Sequence, residues 1–225
     1  MRKQVLSVLA LSAAMASAQA STLLSEGFDN VNGLAAQGWV FTNNSVNPLY
    51  KWQQGADGVY PSQSGGPTSY VTANAESSRN GSSGTAGKIE NWLITKTFSL
   101  SQSFQLSFYA ASELFGIFAD SLEVRVSTGG SASATSNFTR LLVSINPNGD
   151  VDGAPNGWTR YTATFDGLGG NASGRLAFVY KGDGASANFI ALDTLDVSTV
   201  PEPASYALIA LGLVGAAAAQ RRRKA

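Results

Sequence analysis

The sequence predicts an all-β domain, an antiparallel two-sheet jelly-roll β-sandwich, with a signal peptide before it and a single apolar helix after it. Three observations carry this. Gly, Asn, Ser, Asp and Pro punctuate the chain every ten residues or so from Ser21 to Ser198, and the runs between them are short and rich in β-branched and aromatic residues. Several runs alternate apolar and polar side chains with period two. No stretch of the body sustains a helical period.

Thr22 to Phe28 opens the domain, and Gly38 to Thr42 follows a Gly/Asn turn. Tyr50 to Gln53 and Ser69 to Ala73 are short strand candidates, and the Ser/Gly/Ala-rich stretch from Asn74 to Gly87 reads as a surface loop. Lys88 to Leu100 is a stronger run. In Phe104 to Ala110 the residues Phe104, Leu106 and Phe108 share one face, and in Ser121 to Ser127 Leu122, Val124 and Val126 oppose Glu123 and Arg125. After a small-residue loop come Phe138 to Ile145, Gly157 to Phe165, Arg175 to Tyr180 and Asn188 to Val197. With no helices to serve as crossovers, these strands pair antiparallel in two packed sheets. Jelly-roll winding is favoured. An immunoglobulin-like sandwich is the alternative, weakened because no Cys, Trp, Cys spacing exists.

The two ends read as addresses. Arg2 and Lys3 precede an apolar run from Val5 to Ala16, and Ala18, Gln19, Ala20 form a small-residue cleavage site. Cutting by signal peptidase leaves Ser21 first, since the run falls short of the roughly 20 residues that span a bilayer. At the other end Pro201, Glu202 and Pro203 precede an apolar segment, 204–219, and the basic cluster Arg221 to Lys224. That segment is barely long enough to cross a membrane, and the basic cluster holds the C-terminus in the cytoplasm. A temporary and a permanent anchor both fit. The chain thus divides into 1–20, a domain over 21–199, and a tail over 200–225.

Composition then narrows the chemistry. Of 15 basic and 15 acidic residues, six basic and one acidic lie in the two ends, leaving nine against fourteen, a net of −5, in the body. That balance argues against nucleic acid as a partner. The chain has neither Cys nor His, which removes disulfides, thiolate and histidine metal sites, and every Ser-His-Asp or Cys-His nucleophile. Carboxylate chemistry, a Ser/Lys arrangement, or no chemistry is left.

Asn146, Asn148, Asp150, Asp152 and Gly153 gather oxygen atoms as a calcium loop does, but Thr159 stands where a helix-flanked loop needs Glu. A polar turn explains the same residues. Trp39, Trp52, Trp92 and Trp158 suit core packing, while Tyr50, Trp52 and Tyr60 lie in loop-like context and are the candidate ligand-binding group. Glu26, Asp29, Asp193 and Asp196 sit near the two ends of the body, which a sandwich can bring onto adjacent strands.

Two family resemblances rest on these residues. Pro201-Glu202-Pro203, the apolar segment and the Arg221 to Lys224 cluster resemble the PEP-CTERM sorting signal of Gram-negative bacteria. That resemblance implies transient inner-membrane insertion with the domain in the periplasm, recognition and cleavage by an exosortase, release to the cell surface or beyond, and a link to exopolysaccharide. Glu26-Gly27-Phe28-Asp29, Gly38-Trp39, Asn91-Trp92-Leu93-Ile94, Trp158 with Tyr161, and Ile190-Ala191-Leu192-Asp193 resemble the choice-of-anchor J domain, related to cleaved-adhesin and MAM-like jelly rolls. It implies that Glu26, Asp29 and Asp193 flank a structural calcium ion. The chain departs from the pattern at Lys96, where relatives carry Pro, and at Thr194, where many carry a second acid.

The resulting expectation is an exported surface or matrix protein that is not an enzyme, with an adhesive, glycan-binding or structural role. The alternative is a carboxylate-dependent hydrolase of extracellular polysaccharide, which needs two carboxyl groups about 5 Å apart or somewhat more.

Overall fold

The computed structural model describes residues 19–79, 87–112 and 117–201. Residues 21–200 form one compact unit. Twelve strands are present among the described residues: β1 (Thr22–Glu26), β2 (Val40–Asn43), β3 (Gln53–Gln54), β4 (Val71–Asn74), β5 (Lys88–Ile94), β6 (Phe98–Ser99), β7 (Phe104–Ala111), β8 (Ser121–Ser127), β9 (Arg140–Ile145), β10 (Thr159–Phe165), β11 (Ser173–Asp183) and β12 (Phe189–Thr199). All pair antiparallel. The two-sheet expectation holds, and the β8 boundaries match residue for residue.

Each sheet has six strands built around one of the last two in the chain. In one, β12 pairs β7 along one edge and both β4 and β1 along the other, with β10 and β3 outermost. In the second, β11 pairs β8 on one edge and β5 and β6 on the other, with β2 and β9 outermost. The chain passes repeatedly between the sheets, as a jelly roll does. Both central strands are 11 residues long, which is why each can serve two shorter neighbours.

The main core lies between the sheets, where Leu106, Phe108, Leu122, Val124, Leu176, Phe178, Ile190 and Leu192 meet. Phe108 stacks on Tyr161 at 5.6 Å and meets Phe178 edge-on at 5.2 Å, geometries that aromatic quadrupoles favour. Two smaller clusters cover the outer faces. Trp92, Ile94, Phe138, Ala177 and Val179 pack on the outside of the β11 sheet, and Tyr60, Tyr70, Ala111 and Ala191 on the outside of the β12 sheet. Loops covering both faces explain the unbroken burial of 174–180 in β11, where period two alone predicts a wet side. At Gly174 a Cβ would fall 2.0 Å from the Ser127 carbonyl oxygen and 2.6 Å from Leu100, so only glycine lets β8 and β6 close on β11 together.

The expected loop from Asn74 to Gly87 opens with the end of β4 and a short 3-10 turn at Ala75–Ser77; its central residues 80–86 lie outside the described residues, as do 1–18 and 202–225. The signal-peptide run and the apolar helix over 204–219 therefore fall outside them. Among the described residues no helix is long and apolar enough to cross a membrane.

Candidate functional site

The β12 sheet carries the densest set of predicted residues. Pairing of β1 with β12 sets Glu26 opposite Leu195 and Ser25 opposite Asp196, so the two ends of the body do lie on neighbouring strands. Glu26 accepts the Phe28 N–H at 2.9 Å. That bond stabilises a tight turn in which Phe28 takes φ 55°, an uncommon conformation for a bulky residue. The ring is fully buried and meets Trp39 edge-on at 6.0 Å. Asp29 accepts from the Ser69 hydroxyl at 2.5 Å, and Ser69 in turn accepts the Gly66 N–H at 3.0 Å.

Asp193 stands at a bulge. The β12 to β7 register shifts between Asp193 and Asp196, and Thr194 takes φ 48°. This turns both residues onto the 62–65 loop. One Asp193 oxygen accepts the N–H groups of Gln63 and Ser64 at 2.9 and 3.0 Å; the other accepts the Thr194 N–H at 2.6 Å and its hydroxyl at 3.3 Å. That hydroxyl has a single hydrogen, and its shorter contact, at 2.6 Å, is to Gln63 Oε1. Burial pushes the Asp193 pKa up, against the pull of those donors, of which the Ser64 N–H acts most strongly. Gly65, at φ 80°, follows directly; a Cβ there would press on Ser69 at 2.9 Å.

Glu26, Asp29, Ser64, Gly65, Thr194 and Asp196 line one cleft of about 310 Å³. The three carboxylates that the calcium expectation rests on are thus neighbours in the fold, but they do not form one ligand set. Asp193 is fully buried and its oxygens are engaged by three backbone N–H groups and lie beside the Thr194 hydroxyl. No group of three or more carboxylates among the described residues is gathered closely enough to hold a metal ion.

The expectation that Tyr50, Trp52 and Tyr60 form an exposed group requires correction. Only Tyr50 is exposed, at 45 %. Trp52 is buried in the main core and donates to the Asn91 carbonyl at 3.0 Å, because the short β3 that follows it pairs with β4 and draws it inward. Tyr60 is buried beneath its own loop, edge-on to Trp158 at 5.7 Å and to Phe189 at 5.4 Å. Trp158 pins that loop by donating to the Pro61 carbonyl at 2.8 Å. Above these rings lies an open cleft of about 470 Å³, walled by Asp57, Val59, Pro61 and Pro67.

The 146–153 segment is the polar turn. Asn146 accepts the Asp150 N–H at 2.8 Å and donates to the Asp120 and Asp150 carbonyls at 2.9 and 2.8 Å, so its oxygen faces the turn's own backbone. Sequence reasoning missed Asp120 itself. It is fully buried, accepts the Tyr180 hydroxyl at 2.6 Å and the Asn188 N–H at 2.9 Å on one oxygen, and the Ser112 hydroxyl at 2.9 Å on the other. Burial raises its pKa, with Tyr180 the strongest opposing donor, and burial beside Asp120 pushes the Tyr180 phenol well up. Asp120 is thus held by three of the chain's own donors. No local pattern flags it, since its partners lie 8 to 68 residues away.

Comparison with known proteins assigns the tail and the fold. Residues 199–223 match the PEP-CTERM protein-sorting motif; of its Pro-Glu-Pro only Pro201 is among the described residues. No curated protein matches the chain. Among solved structures, the K1 cleaved adhesin domain of Lys-gingipain from Porphyromonas gingivalis is 20 % identical, with a TM-score of 0.55, over 80 % of this chain and 99 % of that one. The K3 cleaved adhesin domain of the same protein is 18 % identical, with a TM-score of 0.53, over 81 % of this chain and all of that one. The chain therefore carries a PEP-CTERM sorting signal, which marks it for export, behind a β-sandwich similar in fold to cleaved adhesin domains.

Proposed function

We propose that this is a surface or extracellular-matrix protein delivered by exosortase-dependent sorting, whose sandwich has an adhesive, glycan-binding or structural role and no catalytic one. The carrying observation is the sorting motif at 199–223 immediately after a compact domain. Signal peptidase removes the leader after Ala20, the tail holds the domain on the periplasmic side for a time, and cleavage near Pro201-Glu202-Pro203 releases it toward the surface and its polysaccharide.

The buried carboxylates support a non-catalytic role. Asp193 and Asp120 are each spent on internal donors that fix loops and strand ends. Both are fully buried, and neither lines the Glu26 cleft or the cleft above Tyr60. Replacing Pro201, Glu202 and Pro203 together by alanine tests the sorting step: an uncut, membrane-held form accumulates in the native cell. Unchanged release of the protein would overturn this reading.

A further inference from the structure

The outer face of the β11 sheet holds a groove of about 230 Å³ that none of the predicted site residues reaches. Period two puts Lys88, Glu90 and Trp92 of β5, Val179 and Lys181 of β11, and Glu123 and Arg125 of β8 on this one face. The register sets Lys181 beside Glu90, and Val179 between Trp92 and Glu123. Three of the nine basic residues in a body of net charge −5 thus share one groove.

Its charges are held in place rather than left to sweep through solvent. Glu123 accepts from Lys181 Nζ at 2.7 Å on one oxygen and from Arg125 Nε at 2.6 Å on the other. Arg125 is also tied to the Phe138 carbonyl at 3.3 Å. Burial pushes the Glu123 pKa up, but Arg125 and Lys181 outweigh it and hold the carboxyl below its usual value. Glu123 is thereby the ionised post on which two cations are mounted. An ammonium offers three donors and a guanidinium five, so most N–H groups of Lys181 and Arg125 are left to face a ligand. Lys88 is exposed and forms no ion pair among the described residues. Glu90 holds the Trp92 indole N–H at 3.0 Å with one oxygen, which leaves the other to accept hydroxyls. Val179, Trp92 and Phe138 pack beneath the groove as a buried apolar floor that holds the charged side chains up at its surface.

We propose that this groove binds a carboxylate-bearing sugar unit of an acidic polysaccharide. Lys88, Lys181 and Arg125 take the carboxylate, and Glu90 accepts ring hydroxyls. The inference deepens the glycan-binding reading above and rests on it. The groove is smaller than the roughly 300–1,000 Å³ sites that enclose drug-sized molecules, which suits one sugar unit of a longer chain. The mixture of signs suits a sugar acid better than a bare anion, which would have no use for Glu90. Because the body is net negative, a polyanion gains nothing from its overall field, and charges beyond about 8–10 Å are screened at physiological salt. Binding must come from the groove itself.

The test is affinity electrophoresis of the full chain in detergent through gels containing polygalacturonate or, separately, an uncharged galactan. Polygalacturonate retards the protein, added salt weakens the retardation, and the Lys88→Ala/Lys181→Ala double variant binds about tenfold more weakly or worse. Lys88→Glu, a change at an exposed residue, gives the same direction without a packing defect. Retardation by the galactan but not by polygalacturonate overturns the inference and leaves the glycan-binding reading standing. Equal retardation of wild type and both variants by polygalacturonate also overturns it, and no retardation by either polymer sinks the groove and glycan binding together.

Discussion

Asp193 accepts the backbone N–H of Ser64 at 3.0 Å across 129 residues of chain. This bond, with its neighbour to Gln63, fastens the 62–65 loop to the central strand of the β12 sheet at a bulge. The loop walls both the Glu26 cleft and the open cleft above Tyr60. One carboxylate therefore sets the shape of two concave surfaces.

Asp193→Ala leaves the N–H groups of Gln63, Ser64 and Thr194 without their acceptor and lowers stability by about 2–3 kcal/mol, in line with the cost of orphaned buried donors. Limited proteolysis locates the effect, with new cuts at 57–67. A variant that is destabilised but cut only elsewhere contradicts the clasp.

Asp120 makes a pH prediction. Its folded pKa is raised above the ordinary 3.8, so the folded state binds the proton more tightly than the unfolded chain. The stability this confers is complete below 3.8 and is lost as pH rises through the folded value. Asp120→Asn has no such proton to lose. Denaturant melts from pH 3.5 upward therefore show the stability difference moving in the variant's favour as pH rises. A difference that moves the other way contradicts burial as the dominant influence.

Gly174→Ala drives a methyl group into the Ser127 carbonyl and Leu100 and costs about 1–3 kcal/mol by overpacking. Thermal unfolding measures it. An unchanged midpoint would show that β6 and β8 have room to part.

Because the Asp193 oxygens are filled by the chain's own donors, chelation of divalent cations leaves the thermal midpoint unchanged. A fall on adding chelator, reversed by calcium, assigns the Glu26, Asp29 and Asp196 cleft a metal after all.

What the sequence made legible was what period two and turn chemistry control. The alternation in Phe104 to Ala110 and Ser121 to Ser127 gave β7 and β8 almost to the residue, and the Glu26 and Asp193 segments came to lie on adjacent strands as expected. The site was less legible, because burial is decided by loops that fold over sheet faces. Trp52 and Tyr60 lie in loop-like sequence context, yet Trp52 joins the main core and the loop over the β12 sheet covers Tyr60. The Asp120 and Tyr180 pair, 60 residues apart, and the three strands behind the Glu123 groove exist only once the sheets form. Local pattern carries no signal for either.

Export, processing at both ends and release of an intact sandwich are tested most directly by intact-mass spectrometry of the protein recovered from its native cell. The predicted result is a chain that begins at Ser21 and ends near Pro201-Glu202-Pro203, without the 204–225 tail. A chain that keeps its first twenty residues or carries the Arg221 to Lys224 cluster to the surface would contradict it.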